Sequence, residues 1–477
     1  MKMNDCILAL DLGTTHWKAA LFYLDGRLAA LERMPAPEVT AGGPPCYDPV
    51  ALPAHLKALI SRLDGEKRKG VCAVALTGMA EAGGLVRKRD HRPLTEIRPW
   101  FDRRSLPVFE AWKNAPAFAD RQAKNGLPPS YKYGVFKLLA FREEGLPIEE
   151  CLLLGVVEQA CLALTGIAAA DPTLASRTGA FDLRSRDWDH AFLAALRLPE
   201  ETFPAVFPSG SAAGCVADPA WGLPLGIPVC ICGHDHICAA YGAGTLENGE
   251  VLLSMGTAQV MITSAKELSP QAVETGLSFG PAPAGEGYTC LGSIQSAGAS
   301  LNFWKKLLFP GEDYAQMAEA AARSSLPTGL VWLPYLSGSG APHIDPLARA
   351  SLSGMSSQTD RDDILAAVYE GIAMESKFVL DSMGGARHLT CLGGLTRHAL
   401  LLRILASVTG AELCLPRQDE GTLYGAARLV ARTALRRGDF PPLPPGGTVF
   451  PDAELSPRYA EKYGKEYLPM MRAVLSR

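Results

Sequence analysis

The sequence predicts an α/β protein in two halves, each a mixed sheet flanked by helices. Three observations carry this reading. Short apolar strands alternate with amphipathic helical stretches, the pattern of a covered sheet. A strand–Gly-Thr–strand unit opens each half, first at 6–24 and again at 251–264. The 477 residues exceed the usual size of one domain.

Taken in order, residues 6–12 (CILALDL) read as a buried strand, 17–24 as a second and 27–34 as a third, with Asp25-Gly26 as a hairpin turn. Leu52, Leu56, Leu59, Ile60 and Leu63 share one helical face, started by Asp48 before Pro49. Residues 71–77 (VCAVALT) form a further strand. In the second half, strands at 251–255 and 259–264 flank Gly256-Thr257-Ala258, and 361–382 is a long helix. Strand 388–392 leads through Gly393-Gly394 to a helix near 398–409, and strand 411–415 to a helix at 421–433. The small, polar run 243–249 marks a boundary, and the Pro-rich run 441–447 reads as a surface link to a C-terminal helix. The expected domains are 1–242, 243–445 and a helical extension over 446–477.

Composition narrows the classes. Hydrophobic residues at 48% and charged residues at 20% are ordinary for a soluble globular chain. A net charge of -4 offers no basic excess for nucleic acid or an anionic membrane. No apolar run approaches the roughly 20 residues of a membrane span. Asp5 and Asp11, in and beside the first apolar run, argue against a secretory signal. The twelve cysteines are scattered without a CxxC pair, which suits small buried hydrophobes in a reducing, cytoplasmic setting.

Chemistry is concentrated in four turns. In Asp11-Leu12-Gly13-Thr14-Thr15 a carboxylate ends a buried strand, and a Gly-Thr-Thr turn offers backbone and hydroxyl donors to a phosphate. Lys18 supplies a positive charge nearby. Gly233-His234-Asp235-His236 follows an apolar strand and puts an acid at its C-terminal edge, where ligands gather in α/β sheets. The bland alternative for Asp235 is a helix N-cap. His234 and His236, lacking a third ligand, do not make a metal site. Gly256-Thr257 and Gly393-Gly394 complete the order.

That order resembles the FGGY carbohydrate kinases of the actin-like ATPase superfamily, across essentially the whole chain. Residues 350–370 (ASLSGMSSQTDRDDILAAVYE) are similar to the family's C-terminal signature, and 333–350 to the segment before it. YGVFKLLAF (133–141) meets the first signature in part: Lys137 is present, and Ala140 stands where Trp is usual. The resemblance implies two actin-like (ribonuclease H-like) domains with a cleft between them, and ATP and Mg2+ as cofactors. Asp11 would face the magnesium through water, and Asp235 would be the catalytic base. Thr14, Thr15, Lys18, Gly256 and Thr257 would hold the phosphates, and Gly298, Gly394 and His398 would line the nucleotide site.

On the acceptor side, Met79, Ala80 and Glu81 replace the polar trios of xylulose and glycerol kinases. The resemblance would make Trp100, Asp102, Asp235 and His236 further contacts, with wall packing the alternative for Trp100; Arg104 belongs to the same W-x-D-x-R segment, and Glu81 either receives substrate hydroxyls or pairs with Arg104 or another cation. The implied reaction moves the γ-phosphate of ATP to a hydroxyl of a small sugar (a ketose such as xylulose), a polyol or a sugar acid. The implied partners are that substrate and a second copy in a homodimer, with neither nucleic acid nor membrane. A catalytically inactive nucleotide-binding sensor is the alternative. Asp235 between the two Gly-Thr elements argues against it. An α/β-hydrolase-type enzyme is set aside for want of a nucleophile elbow, the strand-to-helix turn that carries G-x-S-x-G.

Overall fold

The computed structural model describes residues 5–40, 43–118, 120–268, 276–437 and 440–475. The first half forms a six-stranded sheet of β1 (Cys6–Leu12), β2 (His16–Tyr23), β3 (Leu28–Pro35), β4 (Val71–Gly78), β5 (Ala212–Cys215) and β6 (Pro228–His234). Their spatial order is β5-β6-β4-β1-β2-β3. β2 runs antiparallel to β1 and to β3, whereas β4 lies parallel to β1 and to β6.

The second half forms a seven-stranded sheet of β7 (Val251–Met255), β8 (Gln259–Ala265), β9 (Ser278–Pro281), β10 (Tyr288–Ile294), β11 (His388–Leu392), β12 (Glu412–Pro416) and β13 (Pro445–Val449). Their order is β9-β10-β8-β7-β11-β12-β13. β7 pairs antiparallel with β8 and parallel with β11, as β1 does with β2 and β4. The repeat glimpsed in the sequence is therefore a duplicated topology.

The helices that shape core and site are α1 (Leu52–Arg62), α2 (Val156–Thr165), α3 (Asp235–Ala243), α4 (Arg361–Ser382), α5 (Gly421–Thr433), α6 (Leu455–Lys462) and α7 (Leu468–Leu475). Side chains alternate across a strand, so β1 divides its residues between two cores. Cys6, Leu8, Leu10 and Leu12 meet Leu52, Leu56 and Leu59 of α1 and Val157 and Cys161 of α2. Ile7 and Ala9 point the other way, to a cluster with Ala73, Ala75, Cys230 and Cys232. That cluster also takes in Leu252 and Ile262 of the second sheet, with α3 and α5 packed inside it. It is the joint between the halves.

Small side chains on this face let the two helices approach closely. Gly242 of α3 lies against the backbone of Gly421 and Gly425, and a Cβ on Gly425 would fall 1.7 Å from the Cys238 carbonyl oxygen. The twelve cysteines are all free thiols. Among the described residues no helix is long and apolar enough to cross a membrane.

The Pro-rich run read as a link enters a strand: β13 pairs antiparallel with β12 at the sheet edge. An edge tolerates Pro445, which has no N–H to donate. Beyond it, α6 and α7 contribute Leu455, Tyr459 and Met471 to the main core of the second half.

Two buried acids on α4 fasten this end. Glu370 accepts hydrogen bonds from the Thr328 amide (2.8 Å), the Tyr459 hydroxyl (3.1 Å) and the Lys462 ammonium (2.5 Å). Glu375 accepts from the hydroxyls of Tyr335 (3.0 Å) and Tyr467 (2.5 Å). Burial pushes the Glu375 carboxyl up from its ordinary 4.5 to about 7, against the pull of both hydroxyls. Between those values the folded protein holds a proton that the unfolded chain releases. Glu375 therefore makes stability fall as pH rises through that window, by at most about 1.4 kcal/mol for each step of one in pH. Glu375→Gln is expected to flatten this slope. Melting curves from pH 5 to 8 that stay parallel for both proteins would remove Glu375 as its source.

Candidate active site

The parity of β1 places the first functional group. Asp11 follows Ile7 and Ala9 on the face shared with α3, the helix that begins at Asp235. The two carboxylates thus come to one side of the sheet, at the C-terminal ends of β1 and β6. Asp11 is 8% exposed and its Oδ1 is buried with no hydrogen-bond partner. Burial, then the charge of Asp235, pushes its carboxyl up to about 7, with Lys18 pulling the other way. A buried oxygen without a partner, beside a second carboxylate, suits a hard divalent cation. Magnesium prefers such oxygen donors and keeps several of its waters, so Asp11 fits the expected role.

Asp235 is not the N-cap. That position belongs to His234, with extended backbone angles, and Asp235 is the first helical residue. Its Oδ1 accepts the His236 amide at 2.6 Å and lies 3.2 Å from His234 Nε2. Burial lowers the pKa of His234 to about 4, despite the charge of Asp235, and keeps the imidazole neutral. His234, Asp235 and His236 bring one ligand atom each within 4.8 Å of one another. The third donor, which the histidine spacing alone does not reveal, is the aspartate itself.

Behind this turn stands a network that sequence reasoning missed. Asp171 is fully buried and accepts from Ser209 Oγ (2.5 Å), Thr173 Oγ1 (2.9 Å) and the Leu174 amide (3.0 Å). Thr173 Oγ1 in turn accepts the His234 amide at 2.9 Å. Gly233, at φ 102°, has no room for a Cβ, which would fall 1.9 Å from Thr173 Oγ1. Asp171 before Pro172 is a legible helix-start signal, since it caps the helix Pro172–Ser176. Its service to the Asp235 turn was not legible.

In the expected first phosphate turn, the Thr14 carbonyl accepts from Tyr47 (2.7 Å) and its hydroxyl from Trp100 Nε1 (3.3 Å). Trp100, 38% exposed, so ties the expected acceptor wall to that turn. Thr15 is exposed beside it. Lys18, expected at the phosphates, is paired instead with Glu420 of the second half at 2.7 Å.

The expected acceptor wall follows β4. Met79 and Ala80 are buried, and Glu81 takes a left-handed backbone at φ 61°. Glu81 pairs not with Arg104 but with Arg177, whose Nε and Nη2 both donate to Oε1, while Lys132 Nζ lies 3.4 Å from Oε2. Burial alone would raise the Glu81 carboxyl, yet Arg177 and Lys132 outweigh it and hold it at about 2. Arg104 goes instead to Asp102 and Glu96. Asp102, expected to contact sugar, is 1% exposed and its oxygens are occupied by Arg104. Met79, Ala80, Glu81 and Arg177 border a cavity of about 20 Å³, room for one water.

The second half answers with its own turn. Gly256 N–H donates to the Ala258 carbonyl, and Gly298 N–H to the Gly256 carbonyl at 3.2 Å. A Cβ on Gly298 would fall 2.6 Å from that same oxygen, so glycine lets the helix Ala297–Leu308 abut Thr257. Gly394 faces open space, with no atom within 4 Å of a would-be Cβ. His398 is buried, within 3.1 Å of the Tyr369 hydroxyl through Nδ1, and burial lowers its pKa. The G-x-S-x-G spacing does occur, at Gly276–Gly280, but Ser278 opens strand β9 and sits on no strand-to-helix turn.

The N-terminal domain of the FGGY family of carbohydrate kinases matches residues 6–242, and the C-terminal domain of that family matches residues 251–434. A glycerol kinase of Thermus brockianus is 32% identical over 466 residues, covering 92% of each chain. Two solved structures share the fold. Gluconate kinase from Lactobacillus acidophilus has TM-score 0.89 at 21% identity, over 99% of this chain and 98% of that one. Ligand-bound xylulose kinase from Lactobacillus acidophilus has TM-score 0.88 at 21% identity, with the same coverage.

Proposed function

We propose, for a chain that belongs to the FGGY family of carbohydrate kinases, that Asp235 takes the proton of the acceptor hydroxyl as it attacks ATP. The enzyme is an ATP-dependent kinase of a sugar, polyol or sugar acid. The observation that carries the assignment of the base is the convergence of Asp11 and Asp235 on one face of the first sheet, with one Asp11 oxygen buried and unpartnered.

Each residue then has a task. The turn at Thr14 and Thr15 and the turn at Gly256 and Thr257 present donors to the phosphates from the two halves. Gly298 seats its helix against the Thr257 turn, Gly394 leaves room for the nucleotide, and His398 lies beside it. Magnesium held at Asp11 through water would offset phosphate charge, as phosphoryl transfer requires. Lys18 reaches the phosphates once Glu420 releases it. His234 steadies Asp235, and the Asp171–Thr173 pair fixes the turn that carries both.

Cytoplasmic residence fits the twelve free thiols. A homodimer is the proposed assembly, supported by Phe303 and Leu307, exposed one turn apart on a single helix.

The decisive experiment is an ATP-consumption screen with magnesium over ketoses, polyols and aldonates. Turnover that depends on both magnesium and one acceptor is expected. Failure to bind nucleotide in calorimetry with magnesium present would sink the reading. Clear nucleotide binding without turnover on any acceptor would favour the sensor.

A further inference from the structure

We propose that the turn His234-Asp235-His236 binds a borderline divalent cation, zinc above all, and that the bound metal silences Asp235. The site itself stands on geometry. Its effect on turnover rests on the reading of Asp235 as the base.

Two histidines two residues apart offer too few donors for a metal, and the fold supplies the third. β6 ends at His234 and α3 begins at Asp235, so the chain turns there and gathers the three side chains. One ligand atom from each lies within 4.8 Å of the other two. His234 Nε2 and Asp235 Oδ1 are 3.2 Å apart. Donors bound to a tetrahedral zinc at its usual bond lengths stand about 3.3 Å from one another, so this pair already has that spacing. The rings of His234 and His236 meet at 85° with centroids 5.4 Å apart, so they do not stack and their edges can converge on one cation. The turn is held from behind. The His234 amide donates to Thr173 Oγ1 at 2.9 Å, and the His236 amide to Asp235 Oδ1 at 2.6 Å.

Donor chemistry separates this place from the one at Asp11. Magnesium prefers oxygen donors and keeps its waters, whereas imidazole suits zinc, copper and nickel. Among the charged groups that act on this turn, Asp11 adds a negative charge, and Arg177 is paired with Glu81. Access is open: the side chains of His234 and Asp235 are 11% and 23% exposed, and His236 is half-buried. Affinity is limited by what stands behind His234. With Nε2 on the metal, the ring proton moves to Nδ1, which is buried without a hydrogen-bond partner. Loss of such an outer partner costs about 10- to 100-fold in metal affinity. The site is therefore one that fills and empties with free zinc. A carboxylate whose lone pair is given to zinc no longer takes a proton from a hydroxyl, so occupancy stops the transfer.

The test titrates the protein with zinc chloride in the absence of nucleotide, against a chromogenic chelator, after alkylation of the exposed Cys215. One zinc per chain with a micromolar Kd is expected. His236→Ala should raise that Kd by more than about 10-fold, and His236→Gln, which keeps more of the bulk, should do the same. Cobalt(II) at the turn should show no thiolate charge-transfer band. Such a band, or zinc uptake that survives both variants, assigns the metal to thiols or to Asp11 and overturns the site. In turnover assays with magnesium in excess, zinc should inhibit and EDTA should reverse it. The zinc needed for half-inhibition should rise in each variant, relative to its own zinc-free rate, by the same factor as Kd. Equal inhibition of wild type and variants, as from zinc captured by ATP, overturns the silencing. Zinc bound at the turn with undiminished turnover does so too, and counts against Asp235 as the base. If no acceptor is turned over at all, the kinase reading fails and the zinc titration alone decides the site.

Discussion

Replacing Asp235 with Asn is expected to lower kcat roughly 10²- to 10⁴-fold, the usual range for a general base. A hydroxyl is a poor nucleophile while it keeps its proton. A carboxylate within reach can orient the hydroxyl and accept that proton as the bond to phosphorus forms. Asparagine keeps the size and can still accept the His236 amide, which Asp235 now holds at 2.6 Å. It loses only the basicity. Since His234 and not Asp235 occupies the N-cap, the change should cost little stability. Nucleotide binding should persist, because the turns at Thr14 and Thr257 are untouched. A folded variant with near-normal turnover would remove Asp235 from the chemistry. Asp102 could not replace it, since that side chain is 1% exposed and bound to Arg104.

Lys462→Met should cost about 3–5 kcal/mol, the largest stability loss expected of any single change here. Lys462 and Glu370 are 4% and 1% exposed and meet at 2.5 Å. The ammonium also donates to the carbonyls of Thr328 (2.7 Å) and Leu330 (2.6 Å). Methionine fills most of the volume but leaves Glu370 charged in an apolar setting. The loss is dominated by that stranded charge, so Glu370→Met in the same protein should recover part of it. Calorimetric scans of the two single variants and the double test this directly. A double variant less stable than Lys462→Met alone would mean that the carboxylate matters for Thr328 and Tyr459 more than for Lys462. A single variant that melts with the wild type would show the pair to be dispensable.

Much of the frame was legible because it depends on local period. β1, β2, β4, β7, β8 and β11, and helices α1, α4 and α5, lie within a residue or two of their expected places. The Gly-Thr turns were legible for the same reason, since strand ends and glycines are written side by side. Asp48 is a partial case: it accepts amides of Val50 and Ala51 and shapes the approach to α1, which starts later at Leu52.

Partner choice was not legible, because it is settled by packing between distant segments. Glu81 and Arg177 lie 96 residues apart, and Lys18 and Glu420 lie 402 apart. Nothing in either local pattern chooses among the cations available. Asp102 and Arg104, two residues apart, were both noticed, yet their pairing with each other closes Asp102 to substrate. Residues 1–4 and 476–477, at the two ends of the expected domains, lie outside the described residues.

At Gly242 and Gly425 the two halves approach backbone to backbone, because neither residue carries a Cβ. Around that point the crossing is keyed by side chains: Arg428 donates to the Tyr241 carbonyl at 2.7 Å and to Glu247, and Tyr241, Tyr424 and Leu429 pack in the shared core. Interdigitated side chains lock neighbouring helices into discrete settings, because turning one past the other makes many rotamers hop together. Lys18 and Glu420 add a second tie between the halves, a pair 28% and 16% exposed, whose grip in water is about 0–1 kcal/mol. A toothed joint with a weak outer clasp puts the play between the halves in the clasp and not in the joint.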